Sequence, residues 1–372
     1  MTLRVQVRRD FMNGRTMAFE NHLIEVSESR ARELERNGLV SREIRRSIVN
    51  YIPGEAVPDI AAVRLPPVMI GIPAWGPYYV DLACRYVVPA ILASLAESDF
   101  RNVTFVVHTD DQAAFRDAVG GAFSIRFPPL RAMGPIPKDQ RMPQLPANYW
   151  DAFKQAHREV LHLTPPGGVA VLLNSDVVPS RECFRYVQEQ MIAGKRVVAS
   201  VGIRTQAEKA GTMPIGADAG ALFRWIWSHR HHITDECIWG HGASEHPTIL
   251  FFEDGPNVAM HCFHLTPMFV RRDRPLPFKG TIDDDLIGRF LDAEIAYPSA
   301  GEVAFAELSP AWKTHPHGTP LNVPDVLEFW LRRMMRPHYL RNFEQRMTVL
   351  GAATANHPAA DKIVAGLNEV WS

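Results

Sequence analysis

The sequence predicts an α/β fold: a mostly parallel central sheet with helices on both faces, preceded by a small ββα module. Short aliphatic and β-branched runs alternate with helix-length amphipathic segments, which is the pattern of βαβ units. The runs Val68 to Ile72, Val103 to His108 and Val169 to Leu173 lack polar alternation, as strands covered on both faces do. Each of these runs gives way to polar or conformationally special residues: Pro73, Trp75 and Gly76; then Thr109 and Asp110; then Asn174 and Asp176. Right-handed crossovers would bring those ends to one edge of the sheet, where open α/β sheets bind ligands.

The chain has 372 residues, 46% of them hydrophobic, enough for one large domain and a small one. We expect an accessory module over 1–50, a linker over 51–66, a main domain over 67–320 and a helical extension over 321–372. A net charge of −1 gives no global field for nucleic acid or an anionic membrane. Cys84, Cys183, Cys237 and Cys262 form no CxxC pair, which fits a reducing compartment. The first ten residues lack a signal-peptide core. The longest apolar stretch, Val80 to Leu95, is broken by Asp81, Arg85 and Pro89. These features together predict a cytoplasmic protein without a transmembrane segment.

In the N-terminal module, Leu3 to Arg8 alternates apolar and polar residues as a half-exposed strand does, and Asn13-Gly14 is a hairpin turn signal. His22 to Val26 supplies the return strand, and Ser27 can cap a helix that Gly38 ends. The unit is similar to short modules of phage-related proteins and reads either as a docking module for a protein partner or as a decoration of the main domain. The linker Tyr51 to Pro58 is rich in proline and glycine. Beyond it the expected order is strand 68–72, a long helix 79–96 shifted at Pro89, strand 103–108, helix 112–119 and strand 124–127. A proline-rich loop over 128–146 precedes helix 148–163. Strand 169–174, helix 181–193 and strand 196–201 follow.

Val169-Ala-Val-Leu-Leu-Asn-Ser-Asp176-Val-Val-Pro179 is the informative stretch. A carboxylate at the end of a central parallel strand faces a ligand, here a metal ion or the phosphates and ribose of a nucleotide. The competing reading makes Asn174 to Asp176 a turn that caps the next helix. No GxGxxG follows the first strand, and no GxxxxGK[ST], GxSxG or HExxH occurs. Dinucleotide-binding Rossmann domains, P-loop enzymes, α/β-hydrolases and zincins are thereby disfavoured.

In the second half, a helix over 216–232 ends in Ser228-His-Arg-His-His232, a set suited to a helix C-terminus. Strands are expected over 248–252 and 257–264. His261 and His264 are three apart and point to opposite sides of a strand, so His264, at its end, is the better ligand candidate. Asp283, Asp284 and Asp285 precede an apolar-periodic stretch. One aspartate would serve as a cap, whereas three repel one another unless a cation or substrate hydroxyls absorb the charge; crowding suits one of them to base catalysis.

Together these residues resemble the GT-A type of glycosyltransferase, the nucleotide-diphosphosugar transferase fold, over roughly residues 67 to 310. The carriers are Met69 to Pro73, Phe105 to Asp110, the helix with Tyr149, Lys154 and His157, Leu172 to Ser180, and Thr281 to Asp285. The resemblance implies transfer of a sugar from a nucleotide-diphosphate donor to an acceptor hydroxyl, of the hexosyltransferase type and inverting. It implies a donor site of Pro73, Trp75, Asp110, His157, Asn174 and Asp176. It also implies a divalent metal (Mn²⁺ or Mg²⁺) held by Asp176 and His264, and an acceptor base among Asp283, Asp284 and Asp285. The family's strand-end motif is Asp-x-Asp or a variant; here the first position is Asn174. The implied partners are a nucleotide-sugar donor and a sugar, glycan or protein acceptor. The alternatives are a non-catalytic phage-associated or structural protein, which would bind no nucleotide, and a sugar-phosphate nucleotidyltransferase. The latter needs a basic Gly-rich loop after its first strand, and Pro73-Ala-Trp-Gly-Pro77 has no basic residue. A metal-dependent hydrolase would draw on the fifteen histidines, whose spacing supplies no ligand set.

Overall fold

The computed structural model describes strand backbone within residues 2–41, and then residues 65–129, 149–244, 247–263, 265–276, 280–299, 301–313, 317–333, 337–351 and 356–371. Two compact units form, Met1–Arg64 with Asn368–Ser372, and Leu65–Leu367. In the first, β1 (Thr2–Val7) pairs antiparallel with β4 (Leu23–Ser27) and with β5 (Val40–Ser41). Between them β2 (Phe11–Asn13) and β3 (Thr16–Ala18) make a separate hairpin. The strands on either side of the Asn13-Gly14 signal thus pair with each other, and β1 pairs with β4. The expected helix over 28–38 lies outside the described residues, as do residues 51–64.

The second unit is built on a seven-stranded sheet. Its strands are β6 (Val68–Ala74), β7 (Val103–Thr109), β8 (Ser124–Arg126), β9 (Val169–Leu172), β11 (Val197–Ala199), β16 (Met268–Arg271) and β17 (Ile295–Ala296). Their order across the sheet is β17-β11-β16-β9-β6-β7-β8. All neighbours are parallel except at β16, which runs antiparallel to β9 and β11. The central strands β6, β7 and β9 are buried along their whole length. That burial explains their unbroken apolar character.

Helix α1 (Pro77–Ala96) joins β6 to β7, and α2 (Gln112–Val119) joins β7 to β8. Midway through α1, a π-helical stretch at Ala83–Val87 leads into Pro89, which the helix tolerates near the start of its last segment, Val88–Ala96. That proline's missing N–H is absorbed by the wider turn. α1 is the one helix among the described residues long and apolar enough to span a bilayer. Half of its most apolar window is buried inside the unit, where Val87, Val88, Ala90 and Ile91 are in the core.

Helix α3 (Tyr149–Leu163) then carries the chain back across β6 to β9. This reversal of direction puts α3 on the face opposite α1 and α2. Gly71 of β6 faces α3 so closely that a Cβ there would lie 2.4 Å from Val160 Cγ2. The glycine therefore lets helix and strand approach.

A second, three-stranded sheet leans on the end of β9. It contains β10 (Val177–Pro179), β12 (Ile203–Gln206) and β18 (Phe305–Ser309), in the order β10-β18-β12. Helix α4 (Cys183–Ile192) follows β10, and α5 (Ala219–Ser228) is capped by Asp218. A hairpin of β14 (Ile249–Asp254) and β15 (Asn257–Cys262) is extended by β20 (Met347–Leu350). Helix α6 (His232–Asp235) follows α5, β13 (Ala243–Ser244) pairs antiparallel with β19 (His317–Pro320), and helices α7 (Val323–Arg333), α8 (Pro337–Glu344) and α9 (Pro358–Trp371) complete the chain.

Candidate functional site

Strand order reverses between β6 and β9: from β6 the chain first proceeds outward through β7 and β8, then returns to build the other half. Such a switch point opens a crevice at the carboxyl ends of the two strands, and ligands of open α/β sheets bind there. β6 delivers Trp75 and Gly76 to this edge, and β9 delivers Asn174, Ser175 and Asp176. The strand ends are fastened in position. The backbone N–H of Gly76 (φ 79°) donates to both carboxylate oxygens of Asp110, at 3.2 Å each. His157 of α3 is fully buried, with Nε2 3.2 Å from the Leu173 carbonyl, immediately before Asn174. Pro73 and Trp75 are buried, while Asp110 is exposed beyond the end of β7.

Asp176 does not cap a helix. The strand β10 intervenes, and α4 begins after Glu182 with no side-chain cap. The backbone carbonyl of Asp176 instead accepts from Leu308 N–H at 2.8 Å, and its side chain is buried. Val177 is the register partner of Glu307, and the Glu307 carboxylate is near enough for its charge to act on Asp176. Two cations meet them. Arg204 Nε, from β12, lies 3.4 Å from Glu307 Oε1, and Lys313 Nζ lies 3.6 Å from the same oxygen.

Burial, then the charge of Glu307, pushes the Asp176 carboxyl above the usual aspartate range, against the pull of Lys313 and Arg204. Glu307 shifts the other way: burial raises it, but Arg204 and Lys313 outweigh burial and hold it below its ordinary value. The Lys313 ammonium is lowered by burial and by Arg204. His231 adds no charge, since burial drives it down to about 4; its Nε2 donates to the Pro310 carbonyl at 3.0 Å. The cluster is therefore charge-balanced at neutral pH, with Asp176 its least comfortable member.

Three buried polar atoms in this neighbourhood have no hydrogen-bond partner: Asn174 Oδ1, Arg204 Nη1 and Ser309 Oγ. An unmade buried hydrogen bond costs about 1–3 kcal/mol, so such a grouping marks capacity for a ligand. Tyr78, the second residue of α1, and Trp312, next to Lys313, are two of the few large apolar side chains left exposed among the described residues. Their rings are 6.5 Å apart, and Tyr78 feels the charges of Glu208 and Asp176. They place an aromatic rim beside the charged cluster.

Arg204, Glu307, Lys313, Tyr78 and Trp312 were not singled out by sequence reasoning. One signal was available: Glu307 interrupts the run Val303-Ala-Phe-Ala-Glu-Leu308 with a charge in a strand that is otherwise apolar. Arg204 and Lys313 gave none, because what pairs them with Glu307 is tertiary.

The acidic run occupies different ground. Asp283 to Asp285 lie within a π-helical turn, Ile282–Leu286, whose N-cap is Thr281, and not ahead of a long helix. Asp285 pairs with Arg289 at 3.2 Å and accepts from Gly280 N–H at 3.4 Å. The Arg289 carbonyl accepts from Arg274, which also stands 4.0 Å from Glu294. The Glu294 carbonyl in turn accepts from Arg196 N–H, at the start of β11. These links fasten the far end of the turn to the amino-terminal edge of the sheet. His264 lies outside the described residues, and so do the side chains of Asp283 and Asp284.

Among the described residues no three His, Cys, Asp or Glu side chains converge to hold a metal ion. Among the described residues, the donors near the switch point do not suit a divalent cation: Glu307 is taken by two bases, and a metal at Asp176 would face Lys313 and Arg204.

No family model matches the chain, and no curated protein does. Solved structures that resemble it include a Bacillus anthracis protein described as a glucose-1-phosphate thymidylyltransferase, in complex with sucrose. The two are 12% identical with a TM-score of 0.25, and the match covers 37% of this chain and 55% of that one. A likeness of this size carries no argument about activity. The class of protein established is a mixed α/β fold with a mostly parallel central sheet.

Proposed function

We propose that the chain transfers a sugar from a nucleoside-diphosphate donor to an acceptor hydroxyl, as a glycosyltransferase of the hexosyltransferase type. The observation that carries this reading is the buried carboxylate Asp176 at the carboxyl end of β9, at the switch point with β6. Lys313 and Arg204 stand beside it. Cleavage at the anomeric carbon leaves a nucleoside diphosphate, and positive groups fixed in a poorly solvated site stabilise the charge that develops. Asp176 accepts from the ribose hydroxyls, and the Tyr78–Trp312 rim offers aromatic faces to a base or sugar ring.

The test is a thermal-unfolding screen with uridine and guanosine diphosphates and their sugar conjugates. A ligand at 100 times its Kd adds about 2.7 kcal/mol to stability. We expect at least one nucleotide to raise Tm; no rise with any of them removes the proposal and returns the chain to a non-catalytic role. Of the acidic run, Asp285 is committed to Arg289, so an acceptor base from it would have to be Asp283 or Asp284. Asp283→Asn and Asp284→Asn decide the point by product analysis. Loss of transfer with donor binding intact supports a base in this turn, and unchanged transfer removes the run from the mechanism.

A further inference from the structure

A bound nucleoside diphosphate needs positive partners, and the residues around Asp176 include two. A divalent metal needs several anionic or carbonyl oxygens turned toward one point. Here the only described candidates are Asp176 and Asn174, because both cations of the cluster already bracket the Glu307 carboxylate at 3.4 and 3.6 Å. A doubly charged ion at Asp176 would be repelled by Lys313 and Arg204. Those same two groups are what a diphosphate requires. Arg204 keeps a buried Nη1 with no hydrogen-bond partner, so part of its guanidinium fork is unspent.

We infer that the nucleoside diphosphate is held here by Lys313 and Arg204, without a divalent metal. This rests on the donor-site reading, and it assigns the positive charge to side chains of the chain itself. Arg204 supplies a planar fork from β12, fixed by the sheet. Lys313 supplies a point charge from the turn that begins at Pro310, whose carbonyl accepts from Lys313 N–H at 2.9 Å. Glu307 holds both in place, so binding needs no ordering of long exposed side chains.

The experiment is calorimetric titration of the full-length protein with uridine diphosphate and guanosine diphosphate, in EDTA and in Mn²⁺. Electron paramagnetic resonance of Mn²⁺ with protein alone accompanies it. We expect one diphosphate to bind with affinities within about twofold in the two buffers, and the protein to leave the signal of free manganese undiminished. Lys313→Met keeps the length of the side chain and leaves Glu307 paired with Arg204; it should weaken diphosphate binding by roughly tenfold, and Lys313→Arg should restore it. Binding that needs Mn²⁺, or manganese captured by the protein, overturns this inference and leaves the donor site standing. Wild-type affinity in a folded Lys313→Met overturns it too. If neither diphosphate binds in either buffer, the donor reading fails and this one falls with it.

Discussion

Asp176→Asn is expected to stabilise the fold at pH 8, by about 1–3 kcal/mol, although it alters a fully enclosed polar residue. Burial and the neighbouring Glu307 raise this carboxyl from 3.8 to about 6, and one pKa unit corresponds to about 1.36 kcal/mol. The sign follows from proton binding. Between pH 4 and 6 the native protein holds a proton at Asp176 that the unfolded chain has lost, so this group's contribution to stability falls as pH rises through that window. Above it the ionised carboxylate is a net cost, which asparagine does not incur. Below pH 4 both states are protonated, and the gain should vanish. Urea unfolding of wild type and variant at pH 8 and pH 4 measures both ends. A loss of stability at pH 8 would show that Asp176 is held for structure. A gain, together with lost nucleotide binding, would show a residue kept for function against stability.

The sheet was legible because its strands are buried on both faces and its helices are amphipathic; Val68 to Ile72 and Val103 to His108 read as strands from composition alone, and the structure extends them to Ala74 and Thr109. The strands that escaped notice are short or late in the chain. β16 enters the middle of the sheet antiparallel from a segment about a hundred residues after β9, and Met268 to Arg271 carries no turn signal that would announce it. β12 and β18 are likewise joined only by tertiary pairing. Asp176 was legible because strand-end position can be read locally. Its neighbours Arg204, Glu307 and Lys313 come from three separate segments, so their meeting depends on the second sheet. The acidic run shows the converse: three consecutive aspartates draw attention in a sequence, yet Asp285 is spent on Arg289 within its own turn.

Glu307→Gln should instead produce a loss, about 3–5 kcal/mol, because it keeps the shape of the side chain and removes the charge that a buried lysine and a partly buried arginine share. Lys313 has 7% of its side chain exposed and Arg204 25%. Breaking a buried pair leaves the remaining charge without compensation, and that penalty, not the net worth of the pair, sets the magnitude. A carboxylate held below its ordinary pKa contributes its stability above about pH 4.5, and that contribution is lost as pH falls through the native value. The difference between wild type and Glu307→Gln should therefore shrink in acid, the opposite of the behaviour expected at Asp176. Lys313→Met relieves one of the stranded charges, so the double variant should lose less than the sum of the two singles, by about 1 kcal/mol or more. Urea unfolding of the four proteins closes the cycle. Additive losses, or a loss under about 1 kcal/mol for Glu307→Gln, would mean that the cations do not depend on Glu307 and that the cluster does not hold them ready for a ligand.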